Sequence, residues 1–302
     1  MIGEAAALGA AFCWAVGSHL WGRIGRGADL PAGALNLGKC AAAALAFAVT
    51  GLLVGGRVVP DLAARPLAWL SVSGLIGLTL GDSAYFGAMA ILGVRRALLL
   101  LSTAPVFVAI GGALWLHETP DRVQVAAIAT VLAGVTIVVN EQTPAASAPG
   151  RRSGPVLLGV LLGVGSALGQ AGGSLASRVA MGEGVSALDA ALVRLPAGLL
   201  GIVVLAGASG RLVPWTRKLV RPRLLASIAF AAFVGTYLGI WLSQLAIGRS
   251  SSTAVASTLL ATSPIFALPL GRWLNAERLT RQALVGTLLA CAGLAGLTLW
   301  KS

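Results

Sequence analysis

Three ionisable residues stand where the surrounding sequence is almost wholly apolar. Asp82 lies about 15 residues into one apolar run and is the one acid so deep in any of them. A charge at mid-membrane costs roughly 3 kcal/mol on insertion scales, so an acid in such a run calls for a role. Asp82 could carry a proton, serve as counter-ion to a cationic substrate group, or pair with a Lys or Arg and pin helices together. Lys39 and Arg194 each stand about eight residues into two other runs. Both suit a carboxylate or phosphate held in a central cavity. Equally, each could snorkel to the headgroups along about 12 Å of helix. Polar and aromatic residues recur at helical spacing: Ser166, Gln170 and Ser174 on one face, Tyr237, Trp241 and Gln244 on another, Trp14, Ser18 and Trp21 on a third with His19 beside them. Such faces suit a cavity that mixes aromatic surface with a few hydrogen-bonding groups, or else the packing of one helix on another. The candidate substrate or coupling residues are Asp82, Lys39, Arg194, Trp14, Tyr85, Gln170, Tyr237, Trp241 and Gln244. Pro105 and Pro264 fall inside apolar runs, where each removes a backbone hydrogen bond and kinks its helix. Thr103 and Thr262 just before them can satisfy freed carbonyls, and the paired kinks could be gates or fixed bends.

The elements that must carry these residues are set by composition. The 302-residue chain is 57% hydrophobic and 11% charged, with a mean hydropathy of +0.88. A soluble domain carries roughly 25% charged residues, so a water-facing globule is excluded. Ten apolar runs of about 20 residues, at 4–22, 31–55, 67–91, 96–116, 122–140, 155–177, 185–207, 223–247, 252–273 and 281–300, can each cross a hydrocarbon core. The expected fold is an all-α integral membrane protein of ten transmembrane helices. A linker at 141–154, rich in Pro, Ala and Ser, divides a first half (1–140) from a second (155–302). The net charge of +12 resides mostly in short connections, where it meets lipid headgroups and sets orientation; no basic stripe interleaved with aromatics suits nucleic acid. The first run, with Glu4 and no basic lead, reads as a retained helix and not a cleaved signal. Cys13, Cys40 and Cys291 lie inside apolar runs as buried thiols. With two histidines, no HExxH, no GxSxG and no Walker loop, neither an enzyme nor a metal or organic cofactor is expected, and uphill work would draw on an ion gradient. Arginine far outnumbers lysine beside abundant Ala and Gly, a composition typical of GC-rich bacteria, which places the chain in a bacterial inner membrane. GxxxG pairs such as Gly77/Gly81, Gly169/Gly173 and Gly235/Gly239 allow close helix approach, within a monomer or across a homodimer.

The two halves repeat each other. Thr103-Ala104-Pro105-Val106-Phe107 matches Thr262-Ser263-Pro264-Ile265-Phe266 after 159 residues, and Glu118, Arg122 and Gly134 match Glu277, Arg281 and Gly293 at the same offset. Lys39 matches Arg194 at offset 155, and Gly81 matches Gly235 at offset 154. Five spans per half force opposite orientations, so the halves form inverted repeats with a site at their interface. Two such halves, each with a TxPxF fourth helix, a following Glu and a Gly-rich fifth helix, resemble the EamA-type members of the drug/metabolite transporter superfamily. The stretch from Gly81-Asp82-Ser83-Ala84-Tyr85-Phe86 to Pro105 is especially similar, and the resemblance covers about residues 8–139 and 156–299. It implies a transporter of a metabolite and a basic residue in the second helix, where Lys39 stands.

The function expected is a secondary active transporter, an exporter of a small polar or amphipathic metabolite such as an amino acid, working by alternating access with protons exchanged at Asp82. A passive facilitator, or a non-transporting scaffold or sensor, is the alternative. The odd-numbered connections hold most of the basic residues, among them Arg23, Arg26, Arg95, Arg96, Arg151, Arg152, Arg217 and Lys218. The positive-inside rule then places both termini outside, whereas the resemblance implies cytoplasmic termini.

Overall fold

The computed structural model of the protein describes residues 2–115, 122–139, 154–249, 256, 259–275 and 280–299. The linker expected at 141–154, apart from Gly154, lies outside these residues, as do Glu118 and Glu277. Every regular element among the described residues is helical, and there is no strand. In chain order the helices are α1 (Ile2–Gly27), α2 (Ala32–Gly55), α3 (Ala64–Leu92), α4 (Val94–Leu101), α5 (Ala104–Trp115) and α6 (Arg122–Val139). After the linker come α7 (Val156–Met181), α8 (Ala187–Ala208), α9 (Leu212–Leu219), α10 (Pro222–Arg249), α11 (Ser263–Asn275) and α12 (Arg281–Leu299). Five of them (α2, α3, α7, α8 and α10) are long and apolar enough to cross a membrane. Outward-facing Leu53, Leu157, Leu200 and Phe230 are each more than half exposed, an apolar exterior that hydrocarbon tolerates and water does not.

The structure departs from the expected spans at three places. The fourth run is not one kinked helix. α4 stops at Leu101 and α5 starts at Ala104. Pro105 has no N–H to give the Leu101 carbonyl, and its ring crowds that same carbonyl, so the helix ends there and restarts. Thr103 Oγ1 donates to Leu100 O at 2.7 Å, and Val106 N bonds Thr103 O at 2.9 Å. The second half repeats this turn, with Thr262 Oγ1 donating to Leu259 O at 2.6 Å and Ile265 N bonding Thr262 O at 2.9 Å ahead of α11. Secondly, the middles of α3 and α10 are π-helical, over Gly74–Gly81 and Phe233–Leu238. Thirdly, the connection after α8 contains the short α9, whose Trp215 covers Gly33 and whose Lys218 Nζ donates to Asp29 O at 3.3 Å. At the opposite helix ends Arg57 pairs with Asp189 and Arg65 with Glu183, both at 3.4 Å. Exposed pairs of this kind contribute about 1 kcal/mol or less.

Packing between the halves relies on small residues. α1 lies against α10 and α11, α7 against α3 and α5, α2 against α8, and α6 against α12. The GxxxG pairs of α3 and α7 meet each other: a Cβ on Gly169 would lie 2.7 Å from Gly81 Cα, and one on Gly173 would lie 3.1 Å from Gly77 Cα. They therefore serve packing inside the chain. Across the other seam a Cβ on Gly17 would lie 2.5 Å from Gly235 Cα, closer than carbon atoms can come. We predict that Gly17→Ala costs about 1–3 kcal/mol through overpacking and lowers the thermal midpoint of the purified protein. Gly165→Ala, where nothing lies within 4 Å of the added carbon, leaves it unchanged. Equal midpoints for the two variants would contradict this seam.

Candidate functional site

The charged residues meet at the centre. Lys39 stands eight residues after Pro31, buried in α2, and its Nζ forms an ion pair with Asp82 Oδ2. Snorkelling is thereby set aside for Lys39, whose side chain is only 7% exposed. The same ammonium lies 5.8 Å from the Phe86 ring centroid, near enough for a cation–π contribution. Asp82 stands where the π-helical stretch of α3 gives way to α-helix. A π turn displaces the local backbone hydrogen bonds by one residue and leaves carbonyls in need of partners. Asn36, three residues before Lys39 on α2, supplies one: its Nδ2 donates to Leu78 O at 2.8 Å and to Ser83 Oγ at 2.9 Å. Asn36 is fully buried, and Cys40 Sγ reaches its Oδ1 at 3.5 Å. Its role went unread in the sequence because a lone Asn in a helix carries no periodic signal.

Around this pair lies a cavity of about 670 Å³, counting its open mouth. α1 contributes Trp14, Ser18 and Trp21, α3 contributes Asp82, Tyr85 and Phe86, α7 contributes Gln170, α8 contributes Arg194, and α10 contributes Thr236 and Ser243. Both halves of the chain thus supply its walls. A second cavity of about 420 Å³ shares Trp14, Leu101 and Gln170 with the first and lies between the two helix breaks, lined by Pro105, Ala261 and Ser263 among others. Of the charged residues, Lys39, Asp82 and Arg194 line the larger cavity, two cations to one acid. Arg194 is 4% exposed, and its Nε makes no hydrogen bond among the described residues.

Six of the nine expected site residues come together here: Asp82, Lys39, Arg194, Trp14, Tyr85 and Gln170. The structure places the other three elsewhere: Tyr237, Trp241 and Gln244 line neither of these two cavities. Tyr237 Oη shares a 2.8 Å hydrogen bond with Thr50, and its ring packs against Phe47, Phe233 and Trp241. Gln244 is fully buried and accepts from Ser177 Oγ at 2.7 Å. Their face of α10 packs against α2 and α7, and the neighbouring face, with Gly235, Thr236, Ile240 and Ser243, meets the cavity. Pro105 lines the second cavity; Pro264, its counterpart, is buried at the start of α11 and does not. His19 is fully buried 3.1 Å from Ala267 O, joining α1 to α11.

A buried pair that loses one partner leaves an uncompensated charge, which costs about 3–5 kcal/mol. We predict that Lys39→Met lowers stability by an amount of that order, and that Lys39→Met/Asp82→Asn recovers more than half of the loss. Thermal denaturation of the four proteins of this double-mutant cycle measures the coupling. Additive effects would contradict the pairing.

Comparison with known proteins agrees with this architecture. No curated protein matches the chain. Among solved structures, one described only as "Crystal structure of protein" superimposes with a TM-score of 0.65 at 17% identity, covering 99% of this chain and 96% of that one, a likeness that speaks to the fold. The model of the EamA-like transporter family matches residues 1–140 and again residues 157–299. The chain therefore belongs to the EamA-like transporter family, and it is a multi-pass membrane transporter of the drug/metabolite transporter superfamily.

Proposed function

We propose that the protein is a secondary active exporter of a small polar or amphipathic metabolite bearing a carboxylate, such as an amino acid. The carrying observation is the Lys39–Asp82 pair with Arg194 beside it, buried in a cavity whose walls come from both halves of the chain. Charged groups at that depth are retained where they meet substrate or ions. A scaffold has no use for a polar cavity at its centre, so the presence of one favours transport over that role.

Alternating access is supported by how the halves pack. We take residues 1–140 and 155–302 as inverted five-helix repeats in an assembly of ten spans. Exchanging the halves turns the α1–α10 contact into the α7–α3 contact, and the α1–α11 contact into the α7–α5 contact. The Thr-Pro turns before α5 and α11 exchange as well, and so do the π-helical stretches of α3 and α10. Two-fold pseudosymmetry of this kind gives a carrier two equivalent arrangements, one open to each side. The breaks at Pro105 and Pro264 lie at corresponding places and suit the role of hinges. We place the protein in the inner membrane of a bacterium, as a monomer or homodimer.

In this reading protons drive the cycle through Asp82. Protonating its carboxyl releases Lys39, and deprotonation restores the pair, so the gradient biases one arrangement over the other. The Lys39 partnership also favours one second reading. An acid already neutralised by an ammonium has no need of a proton, and a carrier that never releases the pair is a passive facilitator.

The test is amino-acid flux in proteoliposomes under an imposed pH gradient. Proton coupling predicts that the gradient accelerates wild-type flux about tenfold or more, and that Asp82→Asn transports without that acceleration. Wild-type flux indifferent to the gradient would establish the facilitator. Acceleration persisting in Asp82→Asn would remove Asp82 from the coupling.

A further inference from the structure

Resting on the transport reading above but replacing the amino acid named there with a carboxylate that has no ammonium group, we propose that the two central cavities hold a single ligand, a monoanionic carboxylate with an apolar or aromatic tail. Arg194 takes the carboxylate, and the space between the two helix breaks takes the tail.

The head-group assignment follows from what the larger cavity leaves unmatched. Its one carboxylate, Asp82, is engaged by Lys39. Arg194 is left as the excess positive charge, 4% exposed, with its Nε making no hydrogen bond among the described residues. Trp21 Nε1, which lines the same cavity from α1, is likewise buried and has no partner among the described residues. Guanidinium and indole groups only donate. A buried donor without an acceptor is costly, so the missing component of this site is an acceptor with negative charge. One charge neutralises the cavity. A phosphate dianion would overshoot, leaving an unpaired negative charge at the same depth. An ammonium would add to the excess and find Asp82 already taken.

The tail assignment follows from the second cavity. Trp14, Leu101 and Gln170 line both spaces, so the two lie side by side. Among the described residues the second cavity has no charged wall. Val108, Ala171, Leu260 and Ala261 give it apolar surface between the hydroxyls of Ser102, Ser174 and Ser263, and that of Ser102 is already donating to Leu98 O at 2.9 Å. An apolar tail fits there and a charged one does not. Ala171 and Ala261 are 4% and 6% exposed, so the sizes of these two residues set how long a tail the site admits. A larger side chain at either position occupies the tail space and spares the head group.

Four ligands that share a phenyl ring and differ in the head group test the proposal by titration calorimetry on the full chain in nanodiscs. They are 3-phenylpropanoate, phenylalanine, 2-phenylethylamine and phenyl phosphate, with propanoate as the tail-less control. The expected result is that 3-phenylpropanoate binds most tightly and that each of the others is weaker by about tenfold or more. Arg194→Gln weakens 3-phenylpropanoate by a similar factor, and Arg194→Lys, which keeps the charge, weakens it less. Ala261→Phe weakens 3-phenylpropanoate and leaves propanoate unchanged. Phenylalanine, 2-phenylethylamine or phenyl phosphate binding as tightly as 3-phenylpropanoate overturns the head-group assignment. So does binding that is unaltered in Arg194→Gln. Equal effects of Ala261→Phe on 3-phenylpropanoate and propanoate overturn the tail assignment. Should Arg194→Gln fail to fold, the order of the four ligands on the wild-type protein decides. Flux of 3-phenylpropanoate is measured alongside. Binding without flux removes the transport reading and leaves this one, whereas flux with the wrong ligand order does the reverse.

Discussion

An ammonium and a carboxylate buried among helices of a membrane protein constrain everything near them. Neither Lys39 nor Asp82 could lie at that depth alone, since each would bring an uncompensated charge into a poorly polarisable interior. Together they tie α2 to α3 at one level, and the surrounding structure conforms to that tie. The π-helical stretch of α3 ends at Gly81, just before Asp82, and Asn36 donates to the Leu78 carbonyl within it. Asn36, Lys39 and Cys40 fall on one face of α2, so a single helix face supplies the ammonium, the amide and a thiol that reaches the amide oxygen. Such an interlocked polar cluster is stable only when each member is satisfied. Arg194 Nε is the donor in this cluster without an acceptor among the described residues, which suits a binding site better than a structural rivet.

Small residues let the rest of the fold close around this centre. Between helices in lipid there is no hydrophobic gain to be had, so close backbone approach and dispersion must hold them together. The Gly17–Gly235 and Gly81–Gly169 contacts do this at the two seams where the halves meet. Polar bonds add specificity: Ser73 Oγ donates to Gly173 O at 2.5 Å and Thr79 Oγ1 to Gly198 O at 2.8 Å, each joining α3 to a helix of the other half. Rigid seams beside broken helices suit a protein that moves as blocks about a few flexible turns.

How much of this was legible beforehand depended on the type of signal. Hydrophobic runs and the repeated Thr-x-Pro-x-Phe motif located the helices and the correspondence between halves, because run length and proline chemistry act locally. The rare charges pointed to residues that line one central cavity, because their cost in lipid makes them conspicuous wherever they fall. Proline was underestimated, a break having been expected only as a bend. Faces were harder. The Tyr237, Trp241 and Gln244 line is genuine, yet it packs against Thr50, Phe47 and Ser177, because in helices this apolar a polar stripe marks a neighbour as readily as a cavity. The π-helical stretches left no trace in the periodicity. With glycines and small side chains on every turn, a one-residue slip changes no pattern that hydropathy records.

The account depends on a wet pocket at mid-membrane that each side reaches in turn. Cysteine accessibility measures this most directly. A single cysteine is placed at Ser18, on the cavity wall, in a protein whose Cys13, Cys40 and Cys291 are replaced, and a membrane-impermeant thiol reagent is applied from either face of sealed vesicles. The predicted result is labelling from both faces, suppressed by bound substrate. A cysteine inert from both faces, or labelled from one face whatever substrate or gradient is imposed, would contradict an alternating central site.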